Sequence, residues 1–577
     1  MCDVSGFTGN LPFSIEQFGE VNKARGPDGT TYYDEPFLKI AHSLLAISPN
    51  KEKLQQPYTD ERTGNVLAWV GEIYGLGKDQ FDTKVLSDIL ALGEIGIEML
   101  KYNTNGMWGF VYYNRAKQTI TMCRDHWGVK PLYYATMGEN LAFSSTPIPL
   151  LMALNTLGYG TGVNAFRKHQ WEQNDRFLFG TGFPVNGIKK VPPGGIVTWC
   201  MKRNKITKHD NLWGNFKLEP NYNWSSQQIE EKITKCITEV CTAPGIKKTV
   251  ALSGGIDSTL IASVAKRNGI EDLTATTIKF LKKDAKDPKG NFPVNMGMYE
   301  EFNLAKQTCA ELDIPHKTSV YHGTHECFRT TMEMLQVPMW DRKRTAPRHE
   351  NIKTAAKNKN KIYIVGDGAD ELVTGYSGDY NYFADGTEHE LDRMKWHHRI
   401  REIKDNEKKR QKLVGVLSSM AEVFQMVPQH KDVIGTDGVN NRQWMRGMFH
   451  IDGFMTAADH LCGSYGMESR APYLHQELSK FLLNIPGAVK LQMPACEMEE
   501  YPEDKDEYRG QYKWVLRDAC KDLIPDHVRY RGKKIGFADP VNARDKEYND
   551  FIGGEDFDNY HEWIRQLKFD VDSEAES

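Results

Sequence analysis

The chain has 577 residues, of which 40% are hydrophobic and 26% are charged, and its formal net charge is −4. Its length allows two large domains or three to four ordinary ones, and its charge excludes a general electrostatic preference for nucleic acid or membrane. The ten cysteines form no CxxC pair, and no apolar run reaches the ~20 residues of a membrane span, so we expect reduced thiols and a cytoplasmic location.

Residue 2 is a cysteine, which removal of Met1 would expose at the N-terminus. An α-amine titrates near ~7.7–8, so this single residue would supply a thiol nucleophile and the base that accepts its proton. The alternative is an incidental cysteine beside the start of the chain. Cys2 is therefore a candidate nucleophile, with that alternative left open.

Up to about residue 200, short β-like runs such as 66–70 and 108–113 alternate with turn residues. This pattern predicts a sheet-rich domain, which we place at 2–205. The turn at 191–195 and the polar stretch at 211–226 indicate a domain boundary.

From residue 226 onward, apolar β-like runs at 249–252, 273–278 and 362–365 alternate with helical periodicity. The alternation predicts an α/β domain with a mostly parallel sheet, which we place at 226–545. We expect a mobile loop at 280–297 and a partly disordered tail at 546–577.

Two glycine-rich loops each follow an apolar strand. The first reads Ser253-Gly254-Gly255-Ile256-Asp257-Ser258, and the second reads Val365-Gly366-Asp367-Gly368-Ala369-Asp370-Glu371. Backbone N–H groups at a strand-to-helix turn bind anions, and ligands of open α/β sheets lie at the carboxyl ends of the strands. Asp257 and Asp370 are carboxylates of the kind that holds Mg²⁺. A pure turn with an Asp or Ser cap explains one such loop better than it explains two.

These loops resemble the ATP-pyrophosphatase core of the asparagine synthetases and of their β-lactam synthetase relatives, and further similarity lies at 466–474, 513–517 and 536–540. The resemblance implies ATP and Mg²⁺ as cofactors. It implies an ATP site formed by Leu252, Ser253, Gly254, Gly255, Asp257, Ser258, Ile278, Val365 and Gly366. Asp257 and Asp370 would bind Mg²⁺, and Lys513 would neutralise the departing pyrophosphate. Without the resemblance, the sequence around Lys513 predicts an exposed lysine on the surface of a helix. Asp367 would accept a proton from attacking ammonia, at a position where the family typically carries Glu.

Segments at 25–29, 71–74, 82–83 and 124–134 resemble, in this order, those of class II glutamine amidotransferases. The resemblance implies an α+β N-terminal-nucleophile fold with αββα layers, in which Cys2 attacks the glutamine side chain and a thioester forms as ammonia is released. The implied glutamine site consists of Val70, Gly71, Glu72 and Asp82. Asp82 would bind the α-ammonium group, and Gly71 would donate a backbone N–H to the oxyanion.

Two positions depart from the family pattern. Leu44 stands where the family has an arginine for the glutamine carboxylate, and Val70 stands where it has an oxyanion-hole asparagine. A leucine cannot pair with a carboxylate, and the loss of one oxyanion donor costs ~10²–10³ in rate. We therefore expect glutamine to be a weaker nitrogen donor than free ammonia, unless Arg25 or Lys84 replaces the missing groups.

The resemblance implies asparagine synthesis. ATP adenylates the side-chain carboxylate of aspartate, and ammonia, from glutamine or free, displaces AMP after pyrophosphate has left. Two alternatives stay open, namely a related amide-forming enzyme that acts on another carboxylate and a nucleotide-binding sensor without catalysis. All expected partners are small molecules, neither nucleic acid nor membrane is among them, and the resemblance implies a homodimer.

Overall fold

The computed structural model describes residues 2–47, 55–76, 80–164, 182–214, 216–280, 297–321, 325–337, 342–376, 433, 435, 437–490, 513–530 and 562–569. Two units follow one another along the chain, the first built on antiparallel sheets and the second on a parallel sheet. Within these ranges, no helix combines the length and the apolar character needed to cross a bilayer.

The first unit contains two six-stranded antiparallel sheets. Its strands are β1 Asp3–Thr8, β2 Thr30–Glu35, β3 Leu38–Ser43, β4 Tyr58–Thr59, β5 Val66–Ile73, β6 Gly106–Asn114, β7 Thr119–Arg124, β8 Tyr133–Met137, β9 Asn140–Ser144, β10 Ile188–Lys190, β11 Gly195–Cys200 and β12 Lys205–Asn211. The strand orders are β10-β8-β9-β1-β3-β2 and β12-β11-β7-β6-β5-β4. Apolar side chains of both sheets, among them Ile40 and Val111, form the core between them.

Helices cover the outer faces of both sheets. They are α1 Ile15–Glu20, α2 Asp82–Ala91, α3 Glu94–Tyr102 and α4 Ile148–Thr156. Leu86 of α2 and Leu100 of α3 pack with Trp108 of the second sheet, whereas Phe18 of α1 packs with Phe7 of the first. The helix–sheet–sheet–helix layering confirms the predicted αββα fold.

The second unit contains a five-stranded sheet in which all neighbouring strands are parallel. Its strands are β13 Lys248–Ala251, β14 Leu273–Phe280, β15 His316–Tyr321, β16 Ile362–Ile364 and β17 Glu468–Arg470, in the order β15-β14-β13-β16-β17. Its helices are α5 Ser226–Cys241, α6 Ile256–Arg267, α7 Gly297–Glu311, α8 His325–Leu335, α9 Arg342–Lys357, α10 Ala369–Leu372, α11 Gly438–Gly463, α12 Gln476–Leu483, α13 Gly487–Lys490, α14 Trp514–Ala519 and α15 Asp526–Arg529. Because helices cover such a sheet, its strands read as apolar runs, and the predicted α/β domain is confirmed.

The predicted domain boundary agrees only in part with the structure. The turn at 191–195 joins β10 of one sheet to β11 of the other, so it lies inside the first unit and is not a boundary. β12 continues to Asn211, past the predicted domain end at 205. The stretch that follows is packed rather than loose, because the indole of Trp213 is buried and donates to the carbonyl of His126 at 3.2 Å.

Part of the predicted tail packs against the first unit. The ring centroid of Phe569 lies 4.7 Å from that of Phe13, and Ile564 is fully buried. The side-chain amide of Asn155 donates to the carbonyls of Ile564 and Leu567, both at 2.8 Å. The expected disorder therefore does not extend to 562–569, whereas 570–577, the loop residues 281–296 and the segment 536–540 lie outside the described residues.

Buried ion pairs join the two units. Arg25 pairs with Asp459 at 2.6 Å, and Arg124 of β7 pairs with Asp452 at 3.0 Å. Both aspartates belong to α11. Since a buried charge is costly unless it is paired, these contacts fix how the first unit sits on the second.

The buried histidine His460 of α11 gives a testable pH dependence. Burial lowers the pKa of His460 to about 4, so below a pH of ~6.5 the unfolded chain binds a proton that the native protein resists. This histidine therefore costs stability as the pH falls from ~6.5 toward ~4, by up to about 1.4 kcal/mol per pH unit. We expect the free energy of unfolding of His460→Gln to increase relative to that of the wild type as the pH falls through this range, as measured by urea titrations.

The comparison with the variant is needed because buried carboxylates such as Asp3, whose pKa burial raises to about 6, act in the opposite direction. A difference between wild type and variant that stays constant with pH would contradict the assignment of a neutral His460.

Candidate functional site

A cavity of about 450 Å³ lies at the carboxyl edge of the parallel sheet. Both glycine-rich loops line it, which follows from the topology, because the ends of β13 and β16 meet at this edge. The predicted ATP-site residues that the cavity brings together are Leu252, Ser253, Gly254, Gly255, Asp257, Ser258, Ile278, Val365 and Gly366.

The first loop is held in shape by its own hydroxyl groups. The backbone N–H of Ser253 donates to Ser258 Oγ at 3.1 Å, and that of Gly255 donates to Ser253 Oγ at 3.2 Å. Gly254 has φ +80°, and a Cβ there would lie 2.5 Å from the carbonyl oxygen of Glu301, so glycine is required. The loop thus presents backbone donors and hydroxyls to the cavity in a fixed arrangement.

Lys513 lies between the two predicted metal carboxylates. Its Nζ is 2.6 Å from Asp370 Oδ1 and also pairs with Asp257. Burial on its own would lower the pKa of Lys513, but the two carboxylates outweigh it and raise the pKa above its usual value. The interpretation of Lys513 as a surface helix lysine is wrong, because the residue is 2% exposed and precedes α14 with φ 64°.

Asp257 and Asp370 provide a donor set that fits Mg²⁺. They come from different loops and converge on one positive charge, that of Lys513. Carboxylate oxygens are the ligands that Mg²⁺ prefers, and this ion usually completes its shell with water and phosphate oxygens. The two carboxylates therefore fit the ligand chemistry of a magnesium ion.

Asp367 is anchored by a partner that no motif indicated. Arg348 of α9 donates to Asp367 Oδ1 at 2.9 Å and to the carbonyl of Phe454 at 3.2 Å. Asp367 Oδ2 is buried and has no hydrogen-bond partner within the described parts of the chain. One oxygen is thus fixed, while the other retains its capacity to accept a proton.

Arginines add further positive charge to the cavity. Arg344 and Arg348 of α9 and Arg517 of α14 line it together with Lys513. The sequence predicts a role for none of the three, although Arg517 lies in the segment 513–517 that resembles the family. Arg344 and Arg348 lie outside every such segment and reach the cavity only through tertiary packing. Such a concentration of cations suits a ligand with several negative charges.

Cys2 lies where β1 begins. Its sulfur accepts the backbone N–H of Leu45 at 3.4 Å, and the side chain packs against the core between the sheets. Burial raises the pKa of the Cys2 thiol to about 11. The thiol therefore needs a local base, which is what an α-amine exposed at the same residue would provide.

The predicted glutamine-site residues have distinct environments. Gly71 has φ +142°, and a Cβ there would lie 1.9 Å from the carbonyl oxygen of Met107, so only glycine fits. Burial raises the pKa of Glu72 to about 8 and that of Asp82, at the start of α2, to about 6. The side chain of Val70 is buried in the core between the sheets, so it offers no polar group to a ligand.

Neither proposed replacement for the missing arginine is positioned for that role. Arg25 is buried against Asp459, and Lys84 pairs with Asp88 on the same helix. The structure therefore gives no support to a replacement at Leu44 by either residue, and that hypothesis stays a prediction. Leu44 itself directly precedes the residue whose N–H contacts Cys2.

The nine described cysteines are all free thiols, as predicted. The thiol of Cys236 lies near His475 and Glu477, with candidate ligand atoms within 4.8 Å of one another. Both carboxylate oxygens of Glu477, however, already pair with Lys232 and Lys235. We therefore assign no metal to this cluster.

Comparison with known proteins matches each of the two units to a protein family. The family profile described as "Asparagine synthase" matches residues 245–554, and the one described as "Glutamine amidotransferase domain" matches residues 1–211. The chain is 23% identical to asparagine synthetase [glutamine-hydrolyzing] 1 of Bacillus subtilis, with 96% of this chain and 86% of the relative covered. It is also 23% identical to amidase chry2 of Gibberella zeae, with 88% and 82% covered.

The first profile spans more than half of the chain, and the relative from Bacillus subtilis aligns across both units. The cavity at the sheet edge and the cysteine at the start of the sandwich lie in the segments that the two profiles match. The chain therefore belongs to the asparagine synthase family and is an enzyme of the glutamine-hydrolysing synthetase type.

Proposed function

We propose that this enzyme activates the side-chain carboxylate of aspartate with ATP and converts it into the amide of asparagine. The observation that carries the proposal is Lys513, held between Asp257 and Asp370 in a cavity lined by both glycine-rich loops. Relatives that are named asparagine synthetases support aspartate as the acceptor. The amidases among the relatives favour a second candidate, in which the same chemistry acts on another carboxylate.

In the synthetase half, loop 253–258 would bind the phosphates through its backbone N–H groups and hydroxyls. A carboxylate oxygen of the acceptor attacks the α-phosphorus, the bond to pyrophosphate breaks, and Lys513 offsets the charge that pyrophosphate carries away. Mg²⁺ held by Asp257 and Asp370 would supply further positive charge at the phosphates. Ammonia then attacks the carbonyl carbon, AMP leaves, and Asp367 takes the proton through its unanchored oxygen.

In the amidotransferase half, the thiolate of Cys2 attacks the side-chain amide carbon of glutamine. Ammonia leaves with a proton from the α-ammonium group of Cys2, and water hydrolyses the thioester to glutamate. The N–H of Gly71 would stabilise the oxyanion, and Asp82 would bind the ammonium group of glutamine. The ammonia released here would be consumed at the adenylated carboxylate.

Pyrophosphate release from ATP, aspartate and ammonia tests the proposal directly. Release that depends on aspartate supports asparagine synthesis, whereas release only with other carboxylic acids supports the second candidate. A nucleotide-binding sensor would bind ATP and release no pyrophosphate with any acid, which would contradict both.

Free ammonia is expected to support a higher kcat/KM than glutamine, because Leu44 cannot pair with the glutamine carboxylate. A charge-assisted hydrogen bond contributes about 1.5–3 kcal/mol, so Leu44→Arg is expected to raise kcat/KM for glutamine about 10- to 100-fold and to leave that for ammonia unchanged. Leu44→Met is the matched control. Equal or better use of glutamine by the wild type would refute the prediction.

Asp367→Asn is expected to lower ammonia-dependent synthesis by about 10²-fold or more, since the amide cannot accept the proton from ammonia. The amide oxygen can still accept the hydrogen bond of Arg348, so the fold should persist. ATP–pyrophosphate exchange, which precedes the attack of ammonia, should change much less. Full synthetase activity in this variant would eliminate Asp367 as the proton acceptor.

We also propose that the second domain spans 226–545 and that the protein is a homodimer with a cytoplasmic location, whereas the first domain extends past 205 because β12 ends at Asn211. Light scattering of the purified protein tests the dimer, and imaging of the tagged protein tests the location. A monomer at working concentrations would contradict the proposed homodimer.

A further inference from the structure

The cavity at the sheet edge has a charged side and an apolar side. Lys513 pairs there with the aspartates of both glycine-rich loops, which follow β13 and β16. Ile278 and Phe280 of β14 and Phe302 of α7 line the apolar side. Because β13 lies between β14 and β16 in the sheet, the two sides meet different parts of a ligand. A nucleotide, which joins phosphates to a flat apolar base, fits both sides.

Two buried polar atoms belong to the wall of this cavity on the side of β14. Asn351 of α9 and Thr277 of β14 both line the cavity, and they are 5% and 3% exposed. Asn351 Oδ1 and Thr277 Oγ1 have no hydrogen-bond partner within the described parts of the chain. Buried polar groups are nearly always paired in folded proteins. A ligand in the cavity would supply the missing partners.

The sheet fixes the orientation of the Asn351 amide. Its Nδ2 donates to the carbonyl of Thr276 at 3.3 Å, and the same carbonyl accepts the backbone N–H of Leu252 at 3.1 Å. Only the nitrogen of an amide can donate to a carbonyl, so the nitrogen must face Thr276. The oxygen Oδ1 is therefore the group that remains for a ligand, and it can only accept a hydrogen bond.

The two unpaired atoms match one edge of adenine. Thr277 directly follows the residue that holds the Asn351 amide, so the two atoms belong to adjoining positions of the wall. Adenine presents the donor N6–H₂ beside the acceptor N7, whereas guanine presents the acceptor O6 beside N7. Asn351 Oδ1 would accept from the 6-amino group, and the Thr277 hydroxyl would donate to the ring nitrogen. A 6-oxopurine would place an acceptor against Oδ1 and leave it unpaired.

We propose that Asn351 and Thr277 select the base of the nucleotide, so that the cavity takes ATP in preference to triphosphates of 6-oxopurines. The proposal rests on the function proposed above, which consumes ATP, and adds the residues that distinguish this nucleotide from others. A site built to pair with a polar group rejects an analogue that lacks this group, because its own buried atoms then stay unsatisfied. Selection therefore comes from the two side chains that have no partner in the protein.

Inosine triphosphate (ITP) is the probe, because its base carries an oxygen in place of the 6-amino group. In pyrophosphate release, we expect the wild type to show a kcat/KM for ATP about 10²-fold or more above that for ITP. Asn351→Leu is expected to reduce this ratio about 10-fold or more, because it weakens the use of ATP and changes that of ITP little. The loss should appear in KM rather than in kcat, since the base lies away from the reacting phosphorus.

A second variant and a matched control accompany Asn351→Leu. Thr277→Val keeps the shape of the side chain and removes only the hydroxyl, so it stays informative if the Asn351 variant fails to fold. It should reduce the ratio about 3- to 10-fold. The control is Asn360→Leu, because Asn360 is also 3% exposed, but its Oδ1 accepts from Thr274 at 3.2 Å, and it is not among the described residues that line the cavity. The control should keep the wild-type ratio.

The outcomes separate base selection from the proposed function. Equal use of ATP and ITP by the wild type, or a wild-type ratio in both Asn351→Leu and Thr277→Val, would overturn base selection and leave the proposed function intact. Absence of pyrophosphate release with either nucleotide would overturn the proposed function. Calorimetric titration with ATP and with ITP would then still decide base selection, because the ratio of the two Kd values needs no turnover. Equal Kd values would overturn it.

Discussion

Cys2→Ala is expected to reduce glutamine hydrolysis to the uncatalysed background, a loss of about 10⁴-fold or more for an enzyme nucleophile. Alanine removes the thiol that directly precedes β1, and with it the sulfur that the thioester requires. In the proposed mechanism the base that activates the desolvated thiol belongs to the same residue, so a nearby serine or water is not expected to be activated in its stead. Glutamate formation, measured with and without ATP, reports the loss.

Ammonia-dependent pyrophosphate release should be unchanged in Cys2→Ala, because the cavity of the second unit contains no part of Cys2. Cys200→Ala is the matched control, since Cys200 is also a partly buried free thiol of the first unit. Residual glutamine hydrolysis in Cys2→Ala at the wild-type rate would identify Cys2 as incidental.

Lys513→Met is expected to lower pyrophosphate release by about 10²–10³-fold, the usual cost of removing one group that stabilises charge in a transition state. Methionine fills a similar volume but leaves Asp257 and Asp370 without the cation that pairs with both. The remaining carboxylates would repel the phosphates as well as each other. Initial rates with ATP, aspartate and ammonia measure the effect.

Lys521→Met provides the control for Lys513, because Lys521 follows the same helix but is exposed. Lys513→Arg should recover only part of the activity, since a guanidinium is larger and less compact than an ammonium group. Activity of Lys513→Met within about twofold of the wild type, well short of the cost above, would show that the lysine is structural.

The glycine-rich loops could be located from sequence because their signals are local. A short apolar strand, two glycines and a helix cap lie within a few residues of one another, and the topology of a parallel sheet then brings the two loops together. The same logic explains why Asp257 and Asp370 were identified as a pair. Their distance from each other along the chain did not matter once both followed neighbouring strands.

Lys513 and Arg348 show where local signals end. The helical pattern around Lys513 predicts an exposed side chain, and the left-handed backbone that buries it is enforced by packing rather than by its own residue type. Arg348 reaches Asp367 from another helix, which no spacing in the sequence indicates. The buried Phe569 was likewise unpredictable, since its partners Phe13 and Phe18 lie at the opposite end of the chain.

The ion pairs of Arg25 and Arg124 with α11 have a consequence for anyone who handles this protein in pieces. A recombinant first unit alone would carry Arg25 and Arg124 without their carboxylate partners, and the second would carry the matching aspartates. Separation would also expose apolar side chains that pack across the contact, such as Trp213 and Trp444. Truncation between the two units should therefore yield an insoluble first unit, unless the fragment that carries Asp452 and Asp459 is present as a second polypeptide. If the two units are to be produced as separate polypeptides, the two fragments should be co-expressed rather than purified individually.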